Sequence, residues 1–181
     1  MNFFTVIHLV AKDKDNKWKL LIGLDEYSKD NNIIRKWGSF GGKKEENETV
    51  NESLVREFYE ESMGIFGSLS DYENLTKKNK ISERNVNYGK WKGLEVICKI
   101  NYDDSIVDKY NNIYNFLKKN IFVKNTANSK PLYTIKSNPV GLFEKVELKW
   151  ISLDNFDISK LEFSDEILNN DIKYIKSILL N

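Results

Sequence analysis

The sequence predicts a mixed α/β fold, because strand-length apolar segments alternate with segments that have helical periodicity. Residues 3–10 form an apolar, β-branched run long enough for one strand, and residues 18–24 form a second. The polar residues 12–17 between them predict a turn with a charged tip. Residues 25–34, which follow this hairpin, are predicted to form a loop.

A helix is predicted after the glycine-rich segment 37–42. Thr49 and Glu52 have the spacing of a capping box, in which a hydroxyl and a carboxylate satisfy free N–H groups of the first turn. One face of the helix is apolar at four-residue spacing, at Val50, Leu54 and Phe58. Gly64 supplies a stop signal for the helix.

The rest of the chain gives weaker signals. Residues 94–100 and 146–151 are predicted strands, and residues 106–117 and 164–180 are predicted helices. Residues 120–142 are predicted to be rich in loops, since they hold both prolines, Pro131 and Pro139. We find no internal repeat and no linker, so the 181 residues predict a single domain.

Composition narrows the chemistry. The 28 basic and 27 acidic residues give a net charge of +1, which argues against a strongly basic nucleic-acid binder. The single cysteine, Cys98, excludes an intramolecular disulfide framework and a multi-cysteine zinc site, and the single histidine, His8, excludes a histidine-rich metal site. Both are expected to be buried, His8 with its hydrogen bonds satisfied. No apolar run approaches about 20 residues and no secretion signal is evident, so a cytoplasmic protein is expected.

Three carboxylates share one face of the predicted helix. Glu57, Glu60 and Glu61 occupy positions i, i+3 and i+4, which are neighbours on a helix. Glu48 can add a fourth carboxylate from the preceding loop. Their mutual repulsion would be relieved by a cation, and oxygen ligands suit Mg²⁺ or Mn²⁺. The alternative is a solvated acidic face without a metal.

The spacing around these residues resembles the Nudix box. It reads Gly42, five residues, Glu48, seven residues, then Arg56, Glu57, Phe58, any residue, Glu60 and Glu61. The family pattern next has a glycine where Met63 stands here, and the glycine follows one residue later, at Gly64. Residues 37–43 also resemble the segment before the box in members that hydrolyse nucleoside triphosphates. Residues 144–155 resemble a late strand of the family.

The resemblance implies an α/β/α sandwich with a mixed sheet that hydrolyses a nucleoside diphosphate linked to another group. It implies a metal site formed by the carbonyl of Gly41 and by four carboxylates, Glu48, Glu57, Glu60 and Glu61. Glu57 would also orient or deprotonate water. Arg56 would orient the carboxylates through salt bridges.

Residues outside the box are further candidates. Many members of the family use another glutamate from a later loop, for which Glu144 and Glu147 are the catalytic candidates. Arg35, Trp37 and Lys43 are candidates for binding substrate. The alternatives are an ordinary surface position for the two glutamates, solvent exposure for Arg35 and Lys43, and core packing for Trp37.

The sequence is compatible with three functions. The leading one is hydrolysis of a small nucleotide such as a nucleoside triphosphate, ADP-ribose or a nucleotide sugar. The second is removal of an RNA 5′ cap or 5′ diphosphate, since residues 66–149 hold fifteen bases and nine acids. The third is a nucleotide sensor without turnover. Residues 66–143 are treated as a subfamily-specific insert, no membrane partner is expected, and the oligomeric state is not indicated.

Overall fold

The computed structural model describes residues 2–124, 133–135 and 144–180, with the backbone alone for residues 133–135 and for Tyr88. Pro131 and Pro139, in the segment predicted to be rich in loops, lie outside the described residues. The strands are β1 Asn2–Lys12, β2 Trp18–Lys29, β3 Asn32–Gly38, β4 Phe40–Lys43, β5 Lys80–Tyr88, β6 Trp91–Lys99, β7 Phe122–Lys124, β8 Tyr133–Ile135 and β9 Lys145–Ser152. The helices are α1 Val50–Glu61, α2 Leu69–Lys78, α3 Ser105–Asn120 and α4 Glu166–Leu179.

Seven of the described strands form one mixed sheet. Its main path runs β3-β2-β1-β6-β5, while β4 pairs with β1 and β9 pairs with β2. The pairing of β1 with β6 is parallel, and the other pairings are antiparallel. Strands β7 and β8 form a separate antiparallel pair.

Helices cover both faces of this sheet, which confirms the predicted α/β/α sandwich. Ile7 and Leu9 of β1 point into a core that includes residues of α1, α2 and α3, whereas Val10 points into a core with α4. This alternation is the two-residue period of a strand. We call the two sides the α1 face and the α4 face. None of the helices in the described ranges is both long enough and apolar enough to span a membrane.

The prediction of a loop at residues 25–34 is wrong. Strand β2 continues to Lys29, and β3 begins at Asn32. The connecting residues Asp30 and Asn31 have φ values of 48° and 64°, as in a two-residue hairpin turn. Aspartate and asparagine tolerate this left-handed conformation, so a pair of them connects two strands directly.

Strands β3 and β4 are separated only by Ser39, where the segment changes partners. It pairs with β2 up to Gly38 and with β1 from Phe40. Gly41 has a φ of 152°, and a Cβ atom there would lie 2.1 Å from the carbonyl oxygen of Thr5. Only glycine fits this close approach between β4 and β1.

Helix α1 begins as the sequence predicts, and its exit accommodates the displaced glycine. Both hydrogen bonds of the capping box between Thr49 and Glu52 are present. After Ser62, Met63 and Gly64 are both left-handed, with φ values of 52° and 65°. Met63 stands where the family pattern has a glycine, and its positive φ is a conformation that glycine adopts without strain. The extra left-handed residue lies downstream of the three helix glutamates.

Candidate active site

Arg56 connects three carboxylates beside α1. Its Nε and Nη2 atoms donate to Glu48 at 3.0 and 2.9 Å, which forms a two-point ion pair. Nη2 also lies 2.9 Å from Glu57 Oε1, and Nη1 donates to Glu60 Oε2 at 3.0 Å. The hydrogen bonds from Arg56 lower the pKa of Glu48 to about 2. Arg56 therefore contacts all three of these carboxylates.

Glu57 lies on the glycine pair that precedes α1. A Cβ atom on Gly42 would be 2.5 Å from the Glu57 carboxyl carbon, so the absent side chain makes room for this carboxylate. Burial raises the pKa of Glu57 to about 7 against the opposing effect of Arg56. The charges of Glu60 and Glu144 add to the increase. Burial likewise raises the pKa of Glu60.

Glu61 points into the protein rather than toward Arg56. Its Oε2 accepts a 2.6 Å hydrogen bond from the backbone N–H of Gly41, and its Oε1 lies 3.4 Å from Lys145 Nζ. Burial raises the pKa of Glu61 well above its usual range, while the charge of Lys145 opposes this shift. Lys145 also forms a 2.8 Å ion pair with Asp25.

Lys145 is the only lysine with a buried side chain among the described residues, with 2% of that side chain exposed. Burial alone would lower its pKa, but the charges of Asp25 and Glu61 outweigh burial and raise it. Its methylene groups cover Gly23, where a Cβ atom would lie 2.6 Å from Lys145 Cδ. The hydroxyl of Tyr110 in α3 lies 2.7 Å from the carbonyl oxygen of Lys145 and 3.0 Å from that of Glu61. Its one proton can be donated to either carbonyl, so Tyr110 links α3 to α1 and β9.

The two later glutamates occupy different places. Glu144 directly precedes the buried Lys145 in the chain, and its charge contributes to the raised pKa of both Glu57 and Glu61. Glu147 is exposed on β9, opposite Leu24 in the register. Leu24 points into the α4-face core, and paired residues of antiparallel strands point to the same side. The structure therefore brings Glu144, and not Glu147, to the carboxylates.

The predicted substrate-binding residues are also divided between the faces. Trp37 is 5% exposed and packs in the α4-face core. Arg35 pairs with Glu26 at 2.6 Å and lies over the ring of Phe163. Lys43 stands next to the cluster, where its carbonyl accepts a 3.2 Å hydrogen bond from Arg56. Of these three residues, only Lys43 is brought to the carboxylates.

The balance of charges at this site fits a divalent cation. Five carboxylates, those of Asp25, Glu48, Glu57, Glu60 and Glu61, form ion pairs with two cationic side chains, Arg56 and Lys145. The negative charge of Glu144 acts on Glu57 and Glu61 as well. Burial is the main cause of the raised pKa values of Glu57, Glu60 and Glu61, and neighbouring carboxylates add to each increase. An all-oxygen donor set is the kind that Mg²⁺ and Mn²⁺ prefer.

The sequence did not predict that Asp25 and Lys145 belong to this site. They belong to distant strands that meet only through the pairing of β2 with β9. One signal was present, because a glycine inside a strand often marks a close approach by another group. Gly23, two residues before Asp25, has that role toward Lys145.

A cleft with a volume of about 700 Å³ opens beside this cluster, between α1, α2 and β5. Glu48 and Arg56 line one wall, and Lys77 and Lys80 line another. Both lysines form exposed ion pairs, with Glu73 and Glu83 respectively. The volume falls in the range of small-molecule sites.

Comparisons with known proteins bear on the class of this fold. No protein-family model matches the sequence, and no curated protein matches it. The chain resembles the structure of a bifunctional NMN adenylyltransferase/ADP ribose pyrophosphatase from Francisella tularensis, complexed with AMP and a manganese ion, with a TM-score of 0.54 and 13% identity. That match covers 97% of this chain and 41% of the other. The match to RenU, a Nudix hydrolase from M. smegmatis, has a TM-score of 0.51 and 11% identity over 98% and 85% of the two chains.

The class of fold follows from these observations. This chain is an α/β/α sandwich with a mixed sheet, and the helix after its glycine pair carries the clustered glutamates. The matched structures show that this is the Nudix fold, as the sequence resemblance predicts. The chain spans only 41% of the Francisella protein.

Proposed function

We propose that this protein is a Mg²⁺- or Mn²⁺-dependent hydrolase that cleaves a pyrophosphate linkage in a nucleoside diphosphate derivative. Candidate substrates are nucleoside triphosphates, ADP-ribose and nucleotide sugars. The observation that carries the proposal is the charge imbalance around Glu57, Glu60 and Glu61. Only two cationic side chains, Arg56 and Lys145, are seen to contact these glutamates among the described residues, and two positive charges do not neutralise all of the surrounding carboxylates. Pyrophosphate cleavage needs such an electrostatic site, because charge develops on phosphoryl oxygens.

The metal in this proposal is held by the carbonyl of Gly41 and by Glu48, Glu57, Glu60 and Glu61. When bound, it would neutralise phosphate charge and make a coordinated water more acidic. Glu61 is prepared for this role by the N–H of Gly41 and by Lys145, which fix both of its oxygens. Glu144 supplies a further carboxylate at the same place.

The remaining steps fall to side chains of the chain itself. Glu57, fixed between Gly42 and Arg56, is the proposed acceptor of the proton from the attacking water. Arg56 keeps Glu48 and Glu60 oriented throughout. The cleft beside Glu48 is the proposed location of the substrate portion that does not react, with Lys77 and Lys80 near its phosphates.

A substrate panel tests this proposal. Nucleoside triphosphates, ADP-ribose, nucleotide sugars and capped RNA would be incubated with Mg²⁺ or Mn²⁺, and the products identified by mass spectrometry. We expect release of a nucleoside monophosphate or of inorganic phosphate or pyrophosphate. The double variant Glu60→Gln, Glu61→Gln should lose this activity, whereas Glu162→Gln, at an exposed position away from α1, should retain it.

Three results would contradict or redirect the proposal. Turnover that persists in the double variant would remove the carboxylates from the reaction. Nucleotide binding in calorimetry without turnover under either metal would instead support a sensor. Hydrolysis restricted to capped RNA, with steep salt dependence, would redirect the assignment toward RNA 5′ ends.

A further inference from the structure

A second group of buried polar side chains lies on the α4 face, away from the helix glutamates. His8 comes from β1, Glu95 from β6 and Asp171 from α4, with 0%, 2% and 5% of these residues exposed. One ligand atom of each lies within 4.8 Å of the other two. His8 and Glu95 point to this face because Ile7 and Val96, their neighbours in the chain, point to the α1 face.

The imidazole of His8 has one engaged and one unengaged nitrogen. Its Nδ1 lies 2.7 Å from Ser39 Oγ, and its buried Nε2 has no hydrogen-bond partner. His8 is thus buried as predicted, but only one side of the ring is satisfied. Nε2 is 3.8 Å from Glu95 Oε2, which is too long for a hydrogen bond. Two ligands about 2.1 Å from a tetrahedral ion would be separated by roughly 3.4 Å, close to this distance.

The charges around this group are unbalanced as well. Arg84 binds Glu95 Oε2 through Nε at 2.6 Å, and its guanidinium lies 3.6 Å from the ring centre of Tyr174. A single guanidinium thus accompanies the carboxylates of Glu95 and Asp171. Burial raises the pKa of Asp171 to about 6. An additional cation between the two carboxylates would stabilise their ionised forms.

We propose that His8 Nε2, Glu95 and Asp171 bind a divalent transition metal, with Zn²⁺ as the best match. One imidazole nitrogen and two carboxylate oxygens are common zinc ligands, and water can complete a tetrahedron. Ser39 Oγ would accept a hydrogen bond from the Nδ1–H of His8, which would keep Nε2 directed toward the ion. The ion would join β1, β6 and α4. Its donor set differs from the all-oxygen cluster on the α1 face, and the inference does not rest on the proposed hydrolase activity.

His8 is the one histidine of the chain, which makes the test specific. The full-length protein, labelled with ¹⁵N-histidine and stripped with EDTA, would be titrated with Zn²⁺ in excess Mg²⁺, so that the carboxylate cluster is occupied. We expect the Nε2 resonance to shift and to saturate at one equivalent of Zn²⁺, while Nδ1 keeps its proton. The melting temperature should rise in parallel.

A second measurement uses variants at this site. Ser39→Ala should weaken Zn²⁺ binding about 10- to 100-fold, as loss of an outer hydrogen bond does at other zinc sites. Asp171→Asn should weaken it further, and Glu60→Gln on the α1 face should leave the imidazole response unchanged. An imidazole signal that responds to pH but not to Zn²⁺ would overturn the proposal in favour of a protonated His8. Equal Zn²⁺ affinity in Asp171→Asn would also overturn it.

Discussion

The two faces of the sheet hold carboxylates in different ways. On the α1 face, Arg56 contacts Glu48, Glu57 and Glu60, which are all partly exposed beside an open cleft. On the α4 face, Arg84 contacts Glu95 within a closed group that also holds His8. Each face therefore has one arginine in contact with its carboxylates. The site around Arg56 is accessible to solvent, whereas the acidic and histidine side chains beside Arg84 are buried. Solvent access, the types of donor atom and the number of carboxylates all distinguish the proposed catalytic site from the proposed structural ion site.

The largest expected effect separates the faces by activity. Glu57→Gln should lower kcat about 10²- to 10⁴-fold, because the amide cannot accept the proton from water. The measurement is steady-state hydrolysis of the best substrate from the panel. The matched control is Glu162→Gln, at an exposed position shortly before α4 in the chain. Full turnover in Glu57→Gln would contradict the proposal that the carboxylates of the α1 face are catalytic.

The next effect concerns Lys145 on the α1 face, which carries the one buried ammonium group among the residues that the structure describes. Lys145→Met should lower the free energy of unfolding by about 3–5 kcal/mol, since Asp25 and Glu61 would lose their buried cation. Urea denaturation measures the change, and Lys149→Met, an exposed lysine of the same strand, is the control. A loss equal to that of the control would contradict the assigned role of Lys145.

A pair of glycines provides a sharper test of the same contact. Gly23 and Gly38 are register partners, yet a Cβ atom would lie 2.6 Å from Lys145 Cδ at Gly23 and 3.9 Å from the nearest atom, on Asp25, at Gly38. Gly23→Ala should therefore destabilise the protein by about 1–3 kcal/mol, and Gly38→Ala by much less. Equal melting temperatures for the two variants would argue against the close packing of Lys145.

The smallest expected effect depends on pH. The folded-state pKa of Glu48 is about 2, below its ordinary value of 4.5, so its ionised form stabilises the fold above pH 4.5. Glu48→Gln should cost about 1–2 kcal/mol at pH 7, allowing for partial solvent screening. The difference from the parent protein should shrink as the pH falls from 4.5 toward 2. Urea denaturation over this range would show a constant difference if the Arg56 pair contributed nothing.

The sequence predicted features that depend on local spacing. Thr49 and Glu52 identified the start of α1, and the glutamate spacing indicated both the fold and the cluster on one helix face. The capping box alone needs only four consecutive residues. Cys98 is buried, as expected for a small apolar side chain in a strand. These signals all lie within short, continuous stretches of the chain.

The side-chain clusters that the sequence did not predict depend on partners far apart in the chain. His8 meets Glu95 only because β1 and β6 pair in parallel, and Asp171 reaches them from the C-terminal helix. Lys145 and Asp25 likewise meet across β2 and β9. Helix α2 was missed although Ser68 and Asp71 form a capping box, since its few apolar residues give little periodicity. Side-chain register between strands cannot be read from local patterns.

The change of partners at Ser39 has a consequence for how this protein can vary. Ser39 binds His8 on one side of the sheet, and two residues later the N–H of Gly41 binds Glu61 on the other. Deleting or inserting one residue between them would reverse the direction of every following side chain up to the end of β4. This short stretch must therefore keep its length, and an evolutionary change on one side of the sheet is constrained by what the other side requires.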